Sequence, residues 1–131
     1  MFQVKVDRSN ALVVVTLEGS MRPDEMHQFV AQAVGAIREL AQQGQRVRSL
    51  ADLRQFRTAS PEATEILRQG QATAMQAGMV RIAELVSGEL ATLQLNRIAR
   101  ASGMERILRR FQDEAEARRW LLESDDQADA A

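Results

Sequence analysis

The chain contains no cysteine, one histidine, one lysine, two prolines and few aromatic residues. The absence of Cys removes disulfides, thiolate nucleophiles, Cys-ligated zinc and iron–sulfur clusters together. It also fits a reducing compartment. A lone histidine, His27, cannot build a His-based metal site, so no metal and no cofactor is expected. The longest unbroken apolar run is Ala11–Val15, whereas a membrane-spanning helix needs about 20 apolar residues. No membrane span is expected. The start, Met1-Phe2-Gln3-Val4-Lys5-Val6-Asp7, lacks a basic segment followed by an apolar stretch. No secretory signal is read there, and a cytoplasmic location is expected. The glycines at 19, 35, 44, 70, 78, 88 and 103 are scattered, so no Gly-rich phosphate loop forms.

What is present is the composition of one ordinary domain. The chain has 131 residues, 45% of them apolar, enough to bury a sizeable core. Seventeen basic residues stand against 18 acidic ones, for a net charge of −1. All the basic residues except Lys5 are arginine, which reads as the codon bias of a GC-rich bacterial genome. A near-neutral chain argues against nucleic acid as the partner. The arginines at 97, 100, 106, 109, 110, 118 and 119 are interspersed with Glu105, Asp113, Glu114 and Glu116. That is the pattern of a solvated, salt-bridged face, with no interleaved aromatics to stack on bases.

Along the chain, Phe2–Val6 alternates apolar and polar, the period of a half-buried strand. A turn cluster, Asp7–Asn10, precedes the Val-rich stretch Ala11–Leu17, and the two strands read as a hairpin. Pro23, Asp24 and Glu25 open a helix with Met26, Phe29, Val30, Ala33, Ile37, Leu40 and Ala41 at helical spacing. Val47–Leu53 is a short strand, followed by a loop carrying Phe56, Thr58 and Ser60. Ser60 and Pro61 start a second helix that buries Ala63, Ile66, Leu67, Gly70 and Ala74. Val80–Val86 is a strand, and a third helix follows with Leu90, Leu93 and Ile98 inward. Ile107–Phe111 is the last strand. Asp113, with Glu116 three residues on, caps a final helix that buries Ala117, Trp120 and Leu121. Met75, Met79 and Met104 are core fillers or the lining of an apolar pocket. Residues 124–131 are an acidic, polar tail, so the domain is placed at residues 1–123.

The order is β-β-α-β-α-β-α-β-α. It predicts an α/β fold with a single mixed, mostly parallel five-stranded sheet, four helices and one antiparallel edge. This order resembles the STAS fold of bacterial anti-sigma-factor antagonists, and specifically a divergent branch grouped with CRAL-TRIO lipid-transfer domains. Three stretches carry the resemblance: Ser49–Arg54 before a Pro-started helix, Val80–Ala83, and the ending Phe111–Leu121. It spans about residues 2 to 122, and its motifs are structural.

The resemblance implies a regulatory module that binds another protein, with contacts at the start of the second helix. That places Arg57, Thr58, Ser60 and Glu62 in the partner surface, with Glu65, Arg68 and Gln69 on the exposed side of the helix. STAS antagonists carry a phosphorylatable serine after an Asp at this helix start. Here Ser60 falls where the family has its Asp, and Pro61 and Glu62 take the places of the serines. The usual phosphoserine position is therefore unmatched, and the candidate modification sites shift to Ser60 and Thr58. A phosphate there would meet the helix dipole and the nearby Arg54 and Arg57. The kinship to lipid-transfer domains implies a second reading, a small apolar or lipid ligand held between the sheet and the helices. A homodimer is a third expectation, because Leu95 and Leu122 fall off the core stripes. No catalytic residues are expected. His27 has no nucleophile and orienting group beside it in the sequence, and the acidic pairs at 24–25 and 113–114 are explained by helix starts.

Overall fold

The alternating start of the chain forms β1 (Phe2–Asp7) and the Val-rich stretch forms β2 (Leu12–Met21). A one-turn 3₁₀ helix, Arg8–Asn10, joins them, closed by the Asp7 carboxylate, which accepts from the Asn10 side-chain nitrogen at 2.9 Å. The computed structural model describes residues 1–123; the tail expected over 124–131 lies outside them. Beyond β2 come α1 (Pro23–Gln42), β3 (Val47–Ala59), α2 (Pro61–Ala77), β4 (Met79–Leu85), α3 (Glu89–Ser102), β5 (Leu108–Phe111) and α4 (Glu114–Leu121). The five strands lie in the order β1-β2-β3-β4-β5, with β1 antiparallel to β2 and every other neighbouring pair parallel. This is the expected α/β architecture.

Because the strand order never reverses, crossovers of one hand must put their helices on one face of the sheet. The larger core is built that way: Val13, Val15, Leu17, Ala51, Leu53 and Ile82 pack against residues of α1, α2 and α3. Among the described residues, the opposite face is covered by α4, with Ala117 and Leu121 against Leu12, Leu50, Ala83 and Leu85. Both faces of β2, β3 and β4 are thus apolar, as central parallel strands require. An eight-residue helix is marginal by itself. Arg81 anchors α4 by donating to the Trp120 carbonyl at 2.8 Å, with its guanidinium 5.4 Å from the Trp120 ring centroid. Arg109 and Phe111 complete the contact around that indole. At the opposite edge, β1 is paired on one side only, and exposed Lys5 sits in its middle.

Five expectations are corrected. β3 does not stop at Leu53; it runs to Ala59, because β2 also continues to Met21 and supplies pairing through two register shifts. Phe56 and Thr58 are therefore strand residues, and Phe56 is buried. The last strand begins at Leu108, since Ile107 closes a 3₁₀ turn over Met104–Arg106. In α3 the inward stripe is Leu95, Ile98 and Ala99, while Leu90 and Leu93 face solvent. Leu95, assigned to a dimer surface, is 1% exposed, so of that pair only Leu122 remains at the surface. In α4, Trp120 is half-buried beneath the arginines, whereas Ala117 and Leu121 are fully buried.

Helices α1 and α2 meet at Gly70. A Cβ built there would lie 2.6 and 2.8 Å from the two Val30 methyls. Valine is stiff about χ1 and cannot swing aside cheaply, so the clash outweighs the helix-propensity gain of about 1 kcal/mol. Gly70→Ala should lower stability by roughly 1–3 kcal/mol in urea denaturation. Adding Val30→Ala should recover part of that loss, and a Gly70→Ala chain as stable as the parent would show that this contact is loose.

Candidate functional site

The start of α2 forms as its residue types dictate. Ser60 is the N-cap, its hydroxyl accepting from the Ala63 amide at 3.1 Å, with Pro61 in the first turn and Glu62 toward the dipole. Thr58, at the end of β3, lies with its hydroxyl 3.3 Å from that of Ser20 on β2. Arg57 is exposed and makes no ion pair with a described residue. Arg54 is committed elsewhere: its guanidinium donates to Asp52 at 2.8 and 3.0 Å and holds that carboxyl below its usual range. Farther along α2, Glu65 accepts from Arg68 at 2.5 and 2.9 Å, with Gln69 adding a bond at 3.2 Å. The Arg68 hydrogen bonds dominate in pulling the Glu65 carboxyl down to about 2. The structure thus gathers Arg57, Thr58, Ser60, Glu62, Glu65 and Arg68 on the end of β3 and one side of α2.

Helix α3 brings a second element to the same end of the molecule. Its N-cap is Gly88, at φ 81° and without a side-chain cap. Gln94 donates to the Ala59 carbonyl at 3.3 Å and contacts the Thr64 hydroxyl at 3.4 Å, fixing α3 beside the start of α2. Leu90 is 84% exposed and Leu93 54% exposed, three residues apart and so on one side of the helix. An open groove of about 490 Å³ runs beside them over Val86, Ser87, Gly88 and Gln112. The sequence reading missed this pair as surface residues. The available signal was the continuation of each stripe: Leu90 and Leu93 lead into Arg97 and Arg100, whereas Leu95 leads into Ile98 and Ala99.

Between the sheet and the three helices lies a cavity of about 70 Å³. That is about half the roughly 150 Å³ that admits benzene, and well below the span of drug-sized pockets. A lipid chain does not fit it. The walls are apolar except for Ser49, Gln71 and Glu84, whose residues are 3%, 7% and 3% exposed. Glu84 accepts from Arg110 Nε on β5 at 3.1 Å, and Arg110 in turn donates to Asn96 on α3. Burial raises the Glu84 carboxyl to about 7, with Arg110 opposing the shift. The signal for Glu84 was legible: it breaks the apolar series Val80, Ile82, Val86 in a strand that must be central.

An open sheet whose strand order never reverses has no topological switch point, where doubly wound folds open a ligand crevice. His27 stands exposed on α1. Among the described residues, no three His, Asp or Glu side chains come together to hold a metal, and no helix is long and apolar enough to cross a membrane. The sequence matches the SpoIIAA-like family over residues 12–122. The chain belongs to that family.

Membership of the SpoIIAA-like family bears out the resemblance read from Ser49–Arg54, Val80–Ala83 and Phe111–Leu121. No curated protein matches the sequence. Among solved structures, the chain is similar to an uncharacterized protein with a SpoIIAA-like fold from Shewanella loihica PV-4. That match has 20% identity and a TM-score of 0.64, covering 92% of this chain and 93% of the other. It is also similar to a putative anti-sigma factor antagonist from Thermotoga maritima, at 12% identity and a TM-score of 0.60, covering 92% and 93%. At these identities the likeness is one of fold.

Glu84 makes this member's stability sensitive to pH. Between the unfolded value of 4.5 and about 7, the folded chain keeps a proton that the unfolded chain releases. Stability is therefore greatest below this window and declines as pH rises through it. The loss attached to this group is on the order of 3 kcal/mol. The groups facing Glu84 are Arg110 on β5, Asn96 on α3 through that arginine, Gln71 on α2 and Ser49 on β3. Glu84→Gln should remove the decline, read as the difference between variant and parent in urea midpoints at pH 5 and pH 8. Parallel profiles for the two proteins would sink this assignment.

Proposed function

We propose that this SpoIIAA-like protein is a non-enzymatic regulatory module that binds another protein through the joined starts of α2 and α3. The observation that carries the reading is the exposure of Leu90 and Leu93 beside the capped start of α2. Two neighbouring exposed leucines on one helix side, next to a groove and an uncommitted Arg57, supply an apolar centre and a polar rim. Thr58, Ser60, Glu62, Glu65 and Arg68 form that rim. Anti-sigma-factor antagonism, the role named for the Thermotoga maritima neighbour, is the corresponding class of activity.

Ser60 and Thr58 are the sites at which modification would tune the contact. A phosphate on Ser60 would sit at the positive end of α2, within the same surface as Arg57. Ser60→Asp separates this effect from folding, because Asp also caps helices well.

The test begins with crosslinking in a lysate of the host, followed by reconstitution of the captured protein with purified chain. Leu90→Asp with Leu93→Asp should weaken the measured Kd at least tenfold, about 1.4 kcal/mol, while Arg119→Glu on α4 should leave it within twofold. Equal affinity of the parent and the Leu90/Leu93 double variant for a reconstituted partner would place the contact elsewhere.

A further inference from the structure

The outward face of α3 carries a charge pattern that complements itself. Glu89, Leu93 and Arg97 follow one another at i, i+4 spacing, so they form one row along the helix, about 12 Å from end to end. All three are exposed, and Leu90, 84% exposed, flanks the row. The helix buries Leu95, Ile98 and Ala99 on its other side, so the row points away from the body of the molecule. Neither Glu89 nor Arg97 makes an ion pair with a described residue. They stand two turns apart, beyond the one-turn spacing at which charges pair along a helix.

In chain order the row reads acid, leucine, arginine. A parallel neighbour with the same row would set acid on acid and arginine on arginine. An antiparallel neighbour sets acid on arginine at both ends and leucine on leucine between them. That is the relation a two-fold axis imposes, under which residue i meets j and j meets i. Leu90 then lies beside the aliphatic stem of Arg97 from the other copy, which covers it while the guanidinium keeps its carboxylate. The best complement to this face is therefore the same face on a second molecule.

We propose that two copies of this chain associate through α3, antiparallel about a two-fold axis at Leu93, with Glu89 of each copy on Arg97 of the other. One helix pair is a small contact, so the dimer is weak and reversible. It also covers Leu90 and Leu93. Where the reading of those leucines as a partner site holds, the second copy and the partner compete for one surface, and self-association sets how much of it is free.

The experiment is sedimentation equilibrium on the purified full chain, from micromolar to millimolar concentration. The mean mass should rise from one chain toward two and stop there, because a two-fold contact closes on itself. Arg97→Glu sets acid on acid at both ends and should weaken the dimer by roughly tenfold. Adding Glu89→Arg to that variant restores both pairs with their signs exchanged and should bring the affinity back to within about threefold of the parent. Leu93→Asp should abolish association. All three positions are exposed, and a urea midpoint for each variant confirms that the fold persists. A parent that stays monomeric throughout would overturn the proposal. So would a dimer indifferent to Arg97→Glu, or a double variant no stronger than the single one. No other protein enters the measurement, so failure here is distinct from failure of the partner reading, which is judged by the Kd for a captured partner.

Discussion

The monotonic strand order governs most of what this molecule is. With β2 through β5 laid side by side in one direction, three successive crossovers share one hand and therefore one face. The sheet must then find cover for its other face from the chain that remains, and among the described residues α4 supplies it. That short helix is held by side-chain chemistry more than by area: the Arg81 bond to its last turn and the indole between two guanidinium groups. The same order leaves no switch-point crevice of the kind that doubly wound folds use.

The helices on the crowded face compete for space. Gly70 lets α2 approach α1, and Gln94 ties α3 to the start of α2. The consequence is that α3 follows α2 at its first turns while its own opening leucines stay outside. In this arrangement one glutamine side chain ties together the two helix starts proposed as the partner surface.

Much of the fold was legible because local patterns and tertiary demands agreed. Pro23, Ser60, Pro61 and Asp113 mark helix starts, and each behaves as its chemistry requires. The failures came where a tertiary partner decided. β3 runs on to Ala59 only because β2 extends beside it, a pairing 38 residues away in sequence. The α3 face was misread because two leucine-bearing stripes exist in its sequence and only packing chooses between them. The α2 half of the candidate site was visible as a capped start, and the α3 half was not. The buried carboxylate was readable in principle, since a Glu in the middle of a central strand has no solvent to face.

The open edge at β1 carries its own consequence. An unpaired strand edge is a template on which further chains can add. The charge that discourages such addition here is Lys5, the only side-chain amine in the protein, amid a chain that otherwise uses arginine. An amine, unlike a guanidinium, is readily acylated. The one acylable side-chain nitrogen of the protein, Nζ of Lys5, thus stands in the middle of its open strand edge.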